Sequence, residues 1–230
     1  MAEDATHPYS YEWQAQYRGQ YQLYAVAWDN DGHISVSPQI ELRVGYRKKT
    51  MIAALIVGDV ELKPADLAIF DRLEMLGCHV AVFDDDQINN IDLQQQNLIF
   101  ISATCVPTRI KSAFLDTQLP IIVSEYQLFD DMKMSGNRLN SDYGRIETSQ
   151  VTVVTDSHPA TAGLQGEIVV YRKPDRINWA KPSAEAHIIS GTADDLSKAA
   201  VFIYDKGASM ADVQAPATRI GFFLQDGSAD

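Results

Sequence analysis

In Leu119-Pro120-Ile121-Ile122-Val123-Ser124-Glu125-Tyr126 an apolar run after Pro120 is followed by polar Ser124 and Glu125. It is rich in β-branched residues, and it reads as a strand covered on both faces. Such a buried parallel strand delivers Ser124 and Glu125 to the carboxyl edge of its sheet, where ligands of open α/β folds bind. Upstream runs repeat the signal. Ile52 to Val57 is continuously apolar, His79 to Phe83 forms the next strand, and Asn97 to Ser102 another. Pro64 through Leu76 is predicted helical, with Ile69, Leu73 and Leu76 on one stripe, Phe70 beside it, and Gly77 as the stop. Thr108 to Thr117 is predicted as a helix between the last two strands. Strand and helix alternating in this way imply a parallel, doubly wound α/β sheet. Past residue 145 the pattern turns mostly to β: Gln150 to Val154, Glu167 to Tyr171, Ala186 to Ile189, Ala199 to Tyr204 and Arg219 to Leu224. These are expected as later sheet strands and an antiparallel extension.

The amino-terminal part differs. Tyr21 to Trp28 alternates apolar and other residues, Asn30-Asp31-Gly32 marks a tight turn, and His33 to Ser37 and Gln39 to Val44 alternate again. Pro38 interrupts that return run, which calls for an edge position or a bulge. Asp29, Asn30 and Asp31 invite a calcium reading, but Ala27 and Pro38 fall where an EF-hand loop needs its first and last ligands. A plain hairpin turn is preferred, with the binding of an ion left open.

With 230 residues the chain is long enough for one or two domains. Its 46% hydrophobic and 22% charged residues are those of an ordinary globular protein. A formal net charge of -12 argues against nucleic acid or an anionic membrane as partner. No stretch reaches the ~20 apolar residues of a membrane span, and the start Met1-Ala2-Glu3-Asp4 has no signal-peptide pattern. Cys78 and Cys105 lie in or beside apolar segments and read as buried thiols rather than a disulfide or a metal site.

Several residues are candidates for chemistry. Asp59 and Asp84-Asp85-Asp86 follow buried strands, where carboxylates can hold Mg²⁺ or a ribose hydroxyl. The first strand is followed by Gly58-Asp59-Val60, without the second glycine of a dinucleotide site, so solvated strand-end acids are preferred and neither cofactor nor metal is expected. Glu125 is a general base, a ligand for a sugar hydroxyl, or a structural acceptor for the backbone amides that follow it; the last is preferred. Cys105 is the less favoured nucleophile, with His158 of Thr155-Asp156-Ser157-His158-Pro159 as its base. Asp59, Ser102, Glu125 and His158 together form the candidate pocket.

With these segments placed, residues 51 to 224 resemble the class I glutamine amidotransferase-like superfamily, closest to its trehalose-utilisation (ThuA-like) branch. The resemblance is carried by Ala54-Leu55-Ile56-Val57, by Leu73-Glu74-Met75-Leu76-Gly77-Cys78-His79-Val80, and by Asn97-Leu98-Ile99-Phe100-Ile101-Ser102. Val153 to Leu164, with its His158-Pro159, two residues, Gly163-Leu164, is the most specific stretch, and Arg219 to Leu224 resembles the returning strand. The resemblance implies a flavodoxin-like sheet. It also implies that Glu125 occupies the place where glutaminases carry a cysteine between glycines, so glutaminase activity is not expected. Gly19 to Gly32 resembles the last hairpin of bacterial immunoglobulin-like and cadherin-like modules, with Tyr21 near the place of their tyrosine corner.

The resemblances divide the chain into residues 1–46, a partial immunoglobulin-like β segment, and residues 47–230, an amidotransferase-like α/β domain expected to be cut short at its carboxyl end. They imply a non-catalytic binding or accessory module of a larger exported protein, extracellular, at the cell surface or periplasmic. Carbohydrate or neighbouring domains are the expected partners. The alternative is a hydrolase-like enzyme with an atypical site at the sheet's carboxyl edge, and a purely structural spacer is a third.

Overall fold

The computed structural model describes residues 5, 10, 11, 13, 19–44, 51–155 and 157–227. The amino-terminal hairpin is built from β1 (Gly19–Leu23), β2 (Val26–Trp28), β3 (Ile34–Val36) and β4 (Ile40–Val44). β1 pairs with β4 and β2 with β3, all antiparallel. Between the pairs Leu23↔Ile40 and Val26↔Val36, two residues (24–25) face three (37–39). This is the bulge that Pro38 requires, because its nitrogen has no hydrogen to donate to a ladder. Ser37 bridges the gap by donating its N–H to the Ala25 carbonyl and accepting the Ala25 N–H on its hydroxyl. At the tip the Asp29 carboxylate accepts the N–H groups of Asp31 and His33, each at 2.9 Å, and Gly32 takes φ +84°.

The main sheet has eleven strands. Its parallel half comprises β5 (Met51–Val57), β6 (Cys78–Asp84), β7 (Leu98–Ile101) and β8 (Ile121–Val123), with α1 (Pro64–Met75) crossing from β5 to β6 and the single turn α2 (Pro107–Ile110) lying between β7 and β8. Then come β9 (Tyr143–Thr148), β10 (Gln150–Val153), β11 (Glu167–Val169), β12 (Asp175–Ala180), β13 (His187–Thr192), β14 (Ala199–Tyr204) and the returning strand β15 (Arg219–Gly221). The five parallel strands lie in the order β6-β5-β7-β8-β15. Numbered by appearance in the chain this is 2-1-3-4-5, the flavodoxin-like doubly wound order. β14, β13, β10 and β11 then extend the sheet antiparallel beyond β15, and β9 and β12 pair as a side ladder joined to β14.

Alternation along β5 explains its unbroken apolar run. Ala53, Leu55 and Val57 pack against Ile69 and Leu73 of α1, while Ala54 and Ile56 enter the core on the opposite face with Ile99, Ile101, Phe129 and Phe202. A strand buried on both faces has no position for a polar residue. α1 begins with Pro64 at its first turn and ends where Gly77 adopts φ +91°. Leu76, predicted on the buried stripe, is instead the cap residue and 42% exposed.

The predicted helix over 108–117 is a correction of a different kind. Only Pro107–Ile110 is helical; Lys111 has φ +48°, and the chain continues as turns. Ile110 and Phe114 are buried as their spacing requires. The carbonyls of Leu115, Thr117 and Leu119, however, accept from the guanidinium of Arg219 at 3.2, 2.6 and 2.9 Å. A buried cation collecting carbonyls that a helix would need competes directly with helix formation. The sequence pattern does not announce β9 and β12. Their partners are each other, in full antiparallel register from Asp175↔Thr148 to Ala180↔Tyr143.

Candidate functional site

The carboxyl edge of the parallel strands carries three polar clusters. The first joins the end of β7 to the first turn of α1. Ser102 donates its hydroxyl to Asp66 Oδ1, and Thr104 Oγ1 donates to the same oxygen at 3.2 Å. Thr104 Oγ1 also accepts the Gly58 N–H at 3.1 Å. Gly58 must be glycine here, since a Cβ would stand 2.2 Å from the Thr104 carbonyl oxygen. Asp66 is buried, and desolvation pushes its carboxyl above the usual carboxylate range despite these two hydroxyl donors.

The second cluster lies past β6. Asp85 is 0% exposed; its Oδ2 accepts the Val106 N–H at 2.5 Å and its Oδ1 takes the Arg109 guanidinium at 2.6 Å. It is therefore not the solvated strand-end acid expected from sequence but an anchor for the start of α2. Cys105, beside it, is 4% exposed and donates its thiol to the Ile56 carbonyl at 3.3 Å. Burial first, and the carboxylates of Asp85, Asp66 and Glu125 after it, push this thiol far above the ordinary cysteine range. A thiolate nucleophile is disfavoured at this position.

The third cluster is the elbow after β8. Glu125 caps the short 3-10 helix Tyr126–Leu128, its Oε1 accepting the Gln127 N–H at 2.9 Å. The residue is 5% exposed, and its carboxyl is pushed up to about 7, chiefly by burial, with Arg145 pulling the other way. Arg145, on β9, stacks over the Tyr126 ring 4.7 Å from its centre. Asn178 of β12 donates Nδ2–H to the Ser124 carbonyl and to the Leu224 carbonyl, and its Oδ1 accepts Gln225 Nε2 at 2.6 Å. The elbow, the side ladder and the tail after β15 are thus one buried polar network.

Of the four residues of the candidate pocket, Asp59, Ser102 and Glu125 follow β5, β7 and β8 at the same edge. They engage different partners: exposed Asp59 accepts the Glu61 N–H of its own turn, at 2.9 Å. His158 is elsewhere. Val154 donates to the Ile189 carbonyl, and the His158 ring meets the His187 ring at 5.2 Å. His187 pairs with Ile203, one residue before Tyr204, which pairs with Arg219 at the start of β15. That is the amino edge, so strand direction separates His158 from Glu125, Ser102 and Cys105. A Cys105–His158 dyad does not form.

Asp66, Thr104, Arg145, Asn178 and Gln225 escaped the sequence reading, and only Asp66, in a first helical turn, carried a local signal. Among the described residues, Asp29, Asp31 and His33 at the hairpin tip are the one group whose three ligand-type atoms lie within 4.8 Å of one another, and all are exposed. Both Asp29 oxygens are engaged within the turn, Oδ2 with His33 Nδ1 at 2.8 Å. An apolar groove of about 290 Å³ runs between α1 and the end of β15, lined by Ala65, Ala68, Ile69, Arg72, Phe222 and Leu224 among others. It includes none of the candidate pocket residues. No helix of the described residues is long and apolar enough to cross a membrane.

The strand order defines a flavodoxin-like α/β protein, and the elbow after β8 holds a buried carboxyl group. No protein-family model matches the chain, and no curated protein matches it in sequence. Among solved structures, a glutamine amidotransferase from Thermotoga maritima is similar over 76% of this chain and 75% of that one, at 10% identity and a TM-score of 0.46.

Proposed function

We propose that this chain is a non-catalytic binding or accessory module of a larger modular protein, exported and associated with carbohydrate. The observation that carries the reading is the state of Glu125. It stands where glutaminases of the resembled fold carry their nucleophile, yet it is 5% exposed and engaged with the Gln127 amide. Cys105 is similarly committed to the Ile56 carbonyl. The resemblance of residues 51–224 to the ThuA-like branch, and of the hairpin to immunoglobulin-like modules, supports the carbohydrate and cell-surface setting. On the hairpin, Tyr24 and Trp28 are 54% and 57% exposed and offer flat aromatic faces to a sugar ring.

The test is a glycan array read beside a turnover screen over glycosides and amides. Binding to a defined glycan, lost in Trp28→Ala, with no hydrolysis of any substrate, is the expected result. Turnover of a screened substrate that Glu125→Gln abolishes would overturn the reading in favour of the second one, an atypical hydrolase. The observation favouring that second reading is the Glu125 carboxyl near 7, a value suited to general acid–base work.

A further inference from the structure

We propose that the groove beside α1 is a binding site for a medium-chain monocarboxylate, its acyl chain laid along the apolar wall and its carboxylate held by Arg72. The inference is independent of the function proposed above. α1 packs over β5 and β6, where Ile69 and Leu73 join Ala53, Leu55 and Val80 in one core. Past β8 the described chain forms strands and short 3-10 turns, and no further α-helix before β15. The end of β15 therefore has no helix of its own on this face, and Phe222 and Leu224 stay partly exposed there. The groove of about 290 Å³ is the space left between them and α1. Parallel sheets are ordinarily covered on both faces, so this apolar floor is one that a ligand would dry.

Charge and size together define the ligand. Of the residues lining the groove, Arg72 alone is charged. It follows Ala65, Ala68 and Ile69 at the i, i+3, i+4, i+7 spacing of one helical stripe, so a guanidinium stands where the pattern calls for hydrocarbon. A cation in the last turn of α1 suits the helix dipole. Yet no carboxylate among the described residues pairs with it, in a chain whose formal net charge is -12. A guanidinium takes a carboxylate through two parallel hydrogen bonds. One cation on so acidic a molecule compensates one negative charge, which selects a monoanion over a phosphate dianion.

The lining stripe from Ala65 to Leu73 runs about 12 Å at 1.5 Å per residue, the reach of a medium-chain acyl group. The volume of about 290 Å³ stands at the lower end of small-molecule sites. It is too small for a docked helix, which is ~10–12 Å across with its side chains.

Titration of the full chain with sodium decanoate, kept below its micelle-forming concentration and followed by methyl NMR, tests the site. Saturation at one equivalent is expected, with shifts in the methyl signals of Ile69, Leu73 and Leu224. 1-Decanol should bind about tenfold more weakly, the size of one lost charge-assisted contact. Arg72→Gln should weaken decanoate by the same factor and leave 1-decanol unchanged. Ala68→Trp, at an exposed position, should fill the groove and abolish binding of both while the urea midpoint stays put. The absence of a saturable shift, uptake only at micellar concentrations, or undiminished decanoate affinity in Arg72→Gln would overturn the assignment. So would a dimer in sedimentation without decanoate that Ala68→Trp dissociates, since a second copy would then be the occupant.

Discussion

At Glu125 burial and one backbone donor pull the carboxyl in opposite directions, and burial wins. The consequence is a stability profile with a definite sign. The folded chain holds this proton up to about 7 while the unfolded chain releases it near the ordinary 4.5. Over that window the native state binds more protons, so stability from this group is full below about pH 4.5 and is lost as pH rises through 7. The loss amounts to at most about 3 kcal/mol at 1.36 kcal/mol per unit. Urea unfolding across this range should show the decline in the wild type and a flatter curve in Glu125→Gln; parallel curves would mean that the carboxyl is ionised when buried. Cys105 shows the same competition: burial and nearby carboxylates both oppose the thiolate, and proximity to a helix start does not reverse them.

Between elements the decisive contact is Arg219. Fully buried, it spans three carbonyls of the segment leading into β8, and burial depresses its guanidinium to about 10. Arg219→Met leaves those carbonyls without their donor, and each buried orphan costs ~1–3 kcal/mol. A loss of about 3 kcal/mol or more in unfolding free energy, read from the urea midpoint, is expected. Arg219→Lys should recover only part of it, because an ammonium lacks the planar fork that spans several acceptors. Equal stability of the Arg219→Lys variant and the wild type would refute the spanning role. The same contact shows what sequence could and could not reveal. Ile52 to Val57 and Leu119 to Val123 were legible because burial on two faces writes itself into a contiguous apolar run. The turns after Ile110 were not, since Ile110 and Phe114 keep helical spacing while a residue a hundred positions away takes the carbonyls. The polar edge was illegible for the same reason: Ser102 meets Asp66 across 36 positions and Asn178 meets Ser124 across 54. Glu125 as a cap was readable because its acceptor role is local.

For the molecule as a whole, among the described residues β1 to β4 pair only with one another, and none joins the eleven-stranded sheet. Val26, Trp28, Ile34 and Val36 share a face by register, and the last three are exposed. A chain beginning at residue 47 should therefore keep the cooperative unfolding of the α/β part, with a melting temperature within about 4 °C of the full chain's, the shift that ~1 kcal/mol produces in a domain this large. A larger drop would mean that the hairpin contributes to the sheet's stability. The position of β15 has a consequence for biogenesis. It seats itself beside β8 although the entire antiparallel half, β9 to β14, is translated between the two. A ribosome must finish that half before the central sheet can close, so β8 emerges with one flank waiting and the fold's last step belongs to its most distant pairing. High sequence separation of this kind slows folding. It also makes the nascent chain, rather than the finished protein, the form most in need of a chaperone.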